Sequence, residues 1–420
     1  MRPDRRADGD LTAAGRWSLV ALLAVALFIN YVDRGAVPTA AHLIQSELGL
    51  SKPQLGVLLS AFFWTYASLM LPAGWLAERY GAGKILAGGL ALWACATMLV
   101  GVAHSFGALL MLRLLLGIGE SAGFPCMSKL LATAVPVRNL GVANGIVGCA
   151  YLFGPAAGTY GGGLLMAHYG WRTTFWVFGA LSLLWLLPWS QIRLPQPALD
   201  ANGVHSPPLP MLLRQTSLWG ASLGHFSTNY VFYFMLTWLP FYLVRERGLS
   251  TATMASLAGS AYLVNAVSAL LGGWAIDRVI AATGRANMPY KSVMVAAHAG
   301  SVACMLCIAL ASPLWAFTAI FAYQILSGIS APGIFAIAQI LAGPSASGRW
   351  VGIQNAVGNL AGVIAPAVAG VLDFKVAFFV AAFMSLLGLA GWVWMIPRIA
   401  PLSWPLATVR AALEPERSAS

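Results

Sequence analysis

Apolar runs of roughly twenty residues recur along the whole of this chain, separated by short charged or Pro/Gly-rich breaks, and that recurrence constrains the fold more than any single motif. No water reaches the core of a bilayer to bond backbone N–H and C=O groups, so a segment of that length crosses only as a helix that satisfies them internally. The runs are continuous rather than alternating, which excludes a membrane β-barrel. Composition agrees: 9% of residues are charged and 59% hydrophobic, with a mean hydropathy of +0.76. A soluble domain carries about 25% charged residues. The basic start followed by an apolar run has the outline of a secretory signal, but the many later runs make it a retained first helix.

The breaks predict an all-α membrane protein of twelve transmembrane helices, at about 17–38, 53–76, 83–103, 106–131, 140–167, 173–191, 215–244, 253–276, 291–311, 313–342, 349–372 and 375–397. The one long polar interruption, Gln191 to Met211, is proline-rich and carries Asp200, Asn202, His205 and Ser206, a linker composition. The sequence thus divides into a tail (1–16), a six-helix bundle (17–191), a linker (192–214), a second six-helix bundle (215–397) and a second tail (398–420). Net charge is +11, which in a soluble protein would suggest nucleic acid as a partner. Here the distribution matters more than the sum. Arg79, Lys84, Arg138, Arg214, Arg278, Lys291, Arg349 and both tails share one side, whereas the other has only Lys52, Arg172, Arg245, Arg247 and Lys375. The positive-inside rule then puts both termini in the cytoplasm and removes the case for nucleic acid.

The two halves are copies of one unit. At an offset of 199, Asn30-Tyr31-Val32 meets Asn229-Tyr230-Val231, and Gly74, Glu78 and Arg79 meet Gly273, Asp277 and Arg278. At an offset of 211, Arg138, Gly141, Asn144 and Pro155 meet Arg349, Gly352, Asn355 and Pro366, the jump being one insertion near Ala281–Tyr290. Duplicated helical halves hold substrate near the bilayer midplane and transport it by rocking one half against the other.

Charges inside apolar helices are costly and mark function. Asn30-Tyr31-Val32-Asp33-Arg34 closes the apolar run from Trp17 to Ile29 with an acid beside a base. In the fourth helix Arg113 and Glu120 stand seven residues apart, on one face and about 10.5 Å apart along the axis. Gly117-Ile118-Gly119-Glu120-Ser121-Ala122 matches a dinucleotide-binding pattern, but no strand precedes it. Nothing suggests ATP, a metal or any other cofactor. Cys304 and Cys307 form a lone C-x-x-C in an apolar helix and read as packing thiols. Gly148, Gly154-Pro155 and Gly158 predict tight packing and a bend in the fifth helix, and Asn355 and Asn359 of the eleventh are candidate substrate-binding residues. His225 reads as a helix-packing residue before a proton relay.

Between the second and third helices stands Gly74-Trp75-Leu76-Ala77-Glu78-Arg79-Tyr80-Gly81, echoed by Gly273-Trp274-Ala275-Ile276-Asp277-Arg278. With the twelve helices, the linker and the repeats, these residues resemble the loop motif of the major facilitator superfamily, and the resemblance covers nearly the whole chain. It implies that Glu78, Arg79, Asp277 and Arg278 latch the cytoplasmic gate. Ala82-Gly83 departs from the basic residues usual in that motif. Asn30 to Arg34, Arg113 with Gly117, Gly119, Glu120 and Phe124-Pro125, Gly170-Trp171-Arg172 and Trp238-Leu239-Pro240 together resemble the anion:cation symporter family, which includes hexuronate, galactonate, glucarate and phthalate permeases and relatives of sialin. Ala134-Val135-Pro136 and Arg138-Asn139 depart from that pattern.

The closer resemblance implies that Asp33 and Glu120 carry protons and that Arg34 binds a substrate carboxylate. It places Tyr31 and Tyr66 in the pocket, and Arg113 against an acid or the substrate. Burial favours the neutral carboxyl while an adjacent arginine favours the charged one, so an anion that claims the arginine links its own binding to that of a proton. The expected protein is no enzyme but a proton-coupled importer of a small organic anion, a monomer embedded in the lipid of a bacterial-type inner membrane. A proton-linked antiporter or exporter of drugs or cations is the rival, which two arginines in one region disfavour.

Overall fold

The computed structural model describes residues 12–192 and 207–404. The first eleven residues, most of the linker and the last sixteen residues of the second tail lie outside the described residues. Within them the chain is helical: α1 (Ala13–Leu48), α2 (Lys52–Tyr80), α3 (Ala82–Val100), α4 (Phe106–Ser121), α5 (Gly123–Ala134), α6 (Val137–Leu184), α7 (Leu186–Trp189), α8 (Leu209–Leu213), α9 (Thr216–Arg245), α10 (Thr251–Thr283), α11 (Asn287–Leu310), α12 (Pro313–Val371) and α13 (Phe374–Ala390), closed by a π turn at Gly391–Met395.

The first helix outruns its predicted end. Thr12 caps it by accepting the Gly15 N–H, and it continues to Leu48, where Gly49 (φ 63°) supplies the left-handed residue that ends it. Asp33 and Arg34 therefore lie near the middle of a 36-residue helix, not at its close. Pro38 is accommodated inside it; lacking an N–H, it leaves the Arg34 carbonyl without the usual helical donor. A capping box between Ser51 and Gln54 starts α2. The predicted fourth span, 106–131, is realised as α4 and α5 with a turn at Ala122. The fifth and sixth spans run together in α6, bent at Gly170 (φ 79°, ψ 161°), and the tenth and eleventh in α12, bent at Gly343 (φ 66°, ψ 175°). Both bends use a positive φ that glycine alone adopts readily.

Eight described segments are long and apolar enough to cross a bilayer: Ala14–Leu48, Ala82–Val100, Phe106–Leu131, Thr251–Thr283, Asn287–Leu310, Pro313–Gly343, Arg349–Val371 and Phe374–Met395. The other expected spans fall on α2, α6 with α7, and α9.

The chain forms two compact units. The first comprises Met1–Leu199, Tyr233–Ala266 and Gly362–Phe374. In it α1 lies along α6, α2 along α4, and α3 on both α4 and α6. Glycines set these approaches: a Cβ on Gly154 would stand 2.3 Å from Tyr31 Cβ, one on Gly158 2.2 Å from the Val32 carbonyl oxygen, and one on Gly117 2.3 Å from the Phe62 carbonyl oxygen. The Gly/Pro-rich stretch of the fifth span is thus the surface against which residues 31–35 pack. The two late segments of this unit meet each other where Trp238 Nε1 donates to the Pro366 carbonyl at 3.1 Å, and the last of them meets α2 at Gly56 against Gly370, where a Cβ would lie 2.8 Å from the opposing Cα.

The second unit comprises Asp200–Phe232, Val267–Ala361 and Lys375–Ser420. Its core packs Met294, Ile337, Leu341, Trp350, Trp392 and Ile396. The five cysteines are free and lie in α3, α5, α6 and α11.

Candidate functional site

Successive residues of an α-helix point about 100° apart, so the adjacent charges of α1 diverge. Arg34 turns to α4, donating through Nε to Glu120 Oε2 at 3.1 Å, with Nη2 also 3.1 Å from that oxygen. Asp33 turns instead to α3 and accepts the Thr97 hydroxyl on Oδ2 at 3.1 Å. All four side chains are buried. Buried charges persist only where partners replace water. The pair has such partners, but Asp33 Oδ1, Glu120 Oε1 and Asn30 Oδ1 are buried without hydrogen bonds, as is Arg34 Nη2 apart from its ion pair. The site retains unused donors and acceptors in its interior.

Aromatic rings enclose the arginine. The Arg34 guanidinium carbon lies 4.5 Å from the ring centroids of Tyr31 and Tyr66 and 4.9 Å from that of Phe62. Ring quadrupoles attract a cation, most strongly where water is absent. Phe62 and Tyr66 stack at 5.1 Å, one helical turn apart on α2, and Tyr151 of α6 packs on Tyr31 at 5.3 Å. Tyr233 of α9, in the same unit, meets Phe63 edge-on at 4.6 Å.

Arg113 takes no acid as its hydrogen-bond partner. It donates through Nε to the Leu58 carbonyl at 3.3 Å and through Nη2 to the Leu59 carbonyl at 3.4 Å, and it lies 5.2 Å from the centroid of Phe62. Phe62 therefore lies within cation–π distance of two guanidinium groups. Arg113 and Glu120 share the buried face of α4, but neither partners the other by a hydrogen bond.

The first unit thus brings together Tyr31, Asp33, Arg34, Tyr66, Arg113 and Glu120. Asn355 and Asn359 lie on α12 in the second unit, Asn359 buried and Asn355 half-buried. His225 of that unit is buried, meets the Asn229 amide at 3.2 Å, faces Phe335 edge-on at 5.3 Å and fits where Gly358 lacks a Cβ. That is a packing environment. Of the loop-motif residues, Arg79 lies over Trp75 (5.3 Å) and Tyr80 (5.6 Å), and Arg278 over Trp274 (5.1 Å). Glu78 lies in the last turn of α2 and Asp277 lies on α10, near Tyr290.

Three site residues escape a reading of the sequence. Phe62 precedes Tyr66 by one turn, a spacing that signals a shared face but not a charge above it. Tyr151 and Thr97 carry no signal at all, since which side of α6 or α3 meets α1 is not written in either segment.

Comparison with known proteins places this geometry in context. The Major Facilitator Superfamily profile matches residues 23–366. The probable sulfoacetate transporter SauU of Cupriavidus necator is 31% identical over 306 residues, 68% of this chain and 71% of that protein. The hexuronate transporter of Bacillus subtilis is 28% identical over 395 residues, 89% of this chain and 91% of its own length. The probable galactarate/D-glucarate transporter GudP of Escherichia coli is 26% identical over 394 residues, 86% and 87% of the two chains. Among solved structures, a bacterial homologue of the human lysosomal transporter Spinster, inward-facing and occupied, superposes with a TM-score of 0.81 at 18% identity, covering 92% of this chain and 97% of that one. That likeness is one of fold.

Proposed function

This chain belongs to the Major Facilitator Superfamily, whose members are transporters and not enzymes, and from that premise we propose that it imports a small organic anion, such as a sugar acid, by proton-coupled symport. The observation that carries the reading is the buried Arg34–Glu120 pair inside its aromatic enclosure. The relatives named for sulfoacetate, hexuronate and glucarate support an anionic substrate.

A guanidinium is planar and permanently charged, and it grips a carboxylate with two parallel N–H donors. Glu120 engages Arg34 along the Nε side, which leaves the Nη1 edge for the substrate carboxylate. As the anion draws the guanidinium toward itself, Glu120 loses its counter-charge and a proton replaces it. Anion and proton binding are then coupled through one shared charge, and each raises the affinity for the other by the same factor. Asp33, one residue away and without an arginine partner in hydrogen-bond contact, carries a second proton. Tyr31 and Tyr66 hold Arg34 in place and line the substrate side, while Arg113, tied to backbone carbonyls, supports the positive field. Asn355 and Asn359 provide hydrogen bonds from the second repeat. Transport proceeds by alternating access, with Glu78-Arg79 and Asp277-Arg278 as cytoplasmic latches, in a monomer whose twelve helices span a bacterial inner membrane and whose termini are cytoplasmic.

The test is uptake into proteoliposomes of D-glucuronate, D-glucarate and sulfoacetate under an imposed pH gradient, acidic outside. Accumulation of at least one anion that collapses with a protonophore is expected. Accumulation that persists without a pH gradient, or gradient-driven efflux of organic cations instead, overturns the reading.

A further inference from the structure

Of the two buried carboxyls of the site, Glu120 is held by an arginine and Asp33 by a neutral group. Its Oδ2 accepts the Thr97 hydroxyl at 3.1 Å, while its Oδ1 has no hydrogen-bond partner although the residue is only 2% exposed. Asp33 and Thr97 also line a water-sized cavity, whose remaining wall is Arg113 and apolar side chains that include Leu116 and Phe175. The groups facing Asp33 can be named helix by helix. From α4 come Glu120 and Arg113, from α3 Thr97, and from α6 the apolar Phe175; on α1 itself Arg34 is engaged with Glu120. Arg113 is directed to the carbonyls of Leu58 and Leu59. The hydrogen bond that orients this carboxyl therefore comes from one hydroxyl.

We propose that Thr97 is a positioning residue for proton binding at Asp33: its hydroxyl holds Oδ2 and leaves Oδ1 as the oxygen that takes the proton from a single water in the adjoining cavity. This rests on the assignment of proton carriage to Asp33. A threonine hydroxyl does not titrate at physiological pH, and its one proton serves one acceptor. While it points at Oδ2, Oδ1 is the carboxyl oxygen with both lone pairs uncommitted. As the proton arrives, an O–H bond of the hydrated proton breaks and the Oδ1–H bond forms, leaving neutral water. The cavity, polar on the Asp33, Thr97 and Arg113 side, offers that water the partners it requires.

The measurement is infrared difference spectroscopy of the purified full-length protein across a pH series, following the carboxylic C=O band that disappears in Asp33→Asn. It needs no substrate. Thr97→Val is expected to shift both the position of that band and its titration midpoint, the midpoint by at least about half a pH unit, roughly threefold in proton affinity. Thr97→Ser, which keeps the hydroxyl, should restore both. Thr97→Ala carries the same expectation as Thr97→Val and serves if the valine variant does not fold. Wild-type band position and midpoint in either hydroxyl-free variant overturn the role of Thr97 alone. Absence of any band lost in Asp33→Asn overturns it together with the assignment of proton carriage to Asp33.

Discussion

Arg34 and Glu120 form an ion pair at 3.1 Å across α1 and α4, with 4% of the arginine side chain and none of the glutamate side chain exposed. A pair so buried is weak evidence for net stability, because desolvation of both charges offsets their attraction. Removing one partner is a different matter: it leaves an uncompensated charge and costs about 3–5 kcal/mol.

Arg34→Lys keeps the charge but loses the planar fork and its stacking on Tyr31, Phe62 and Tyr66. Uptake should fall at least about a hundredfold, since a bidentate, stacked arginine is not replaced by a point charge. Initial rates in proteoliposomes check this. Near-wild-type uptake in the lysine variant removes Arg34 from the substrate site.

Glu120→Gln and Asp33→Asn each remove one of the carboxyls proposed to carry protons while preserving side-chain shape. Exchange of labelled for unlabelled anion should survive in both, whereas accumulation driven by a pH gradient should be lost. The two assays on the same vesicles separate binding from coupling. If both variants accumulate substrate as the wild type does, protons are carried elsewhere.

Phe62 has the Arg34 guanidinium 4.9 Å and the Arg113 guanidinium 5.2 Å from its ring centroid. A desolvated cation–π contact contributes about 2 kcal/mol, so Phe62→Leu loses two such contacts at modest cost in volume. A lowered melting temperature together with a KM raised about tenfold or more is the expected result. A change in melting temperature with KM untouched would assign the ring to packing alone.

Gly158 and Gly161, three residues apart in α6, make a paired test of the α1 contact. A Cβ on Gly158 would stand 2.2 Å from the Val32 carbonyl oxygen, whereas one on Gly161 meets nothing within 4 Å. Gly158→Ala should therefore push α6 away from residues 31–35, at a cost of about 1–3 kcal/mol and with loss of transport. Gly161→Ala should be neutral or stabilising by up to about 1 kcal/mol. Thermal melting and uptake of the two variants, compared side by side, decide it.

Much of this protein is legible in its amino-acid sequence. The length of the apolar runs, the doubled Asn-Tyr-Val and Gly-acid-Arg patterns and the isolated charges Asp33, Arg34, Arg113 and Glu120 are properties of the segments themselves. They report helix class, duplication and candidate site because backbone satisfaction in lipid and the cost of a buried charge act locally, residue by residue. Helix ends are less legible. The expected first span ends at residue 38, but α1 carries on through Pro38 to Leu48, since a proline costs one backbone bond and neighbouring helices compensate.

The pairing of the charges belongs to the tertiary structure alone. In the sequence Asp33 and Arg34 are neighbours and read as partners; folded, the rotation of α1 sends one to Thr97 and the other to Glu120, 86 residues away. That rotation is set by where Gly154 and Gly158 let α6 approach α1. Which residues are charged is decided one position at a time along the chain, but which charges meet depends on helix-against-helix packing, and no single segment contains that.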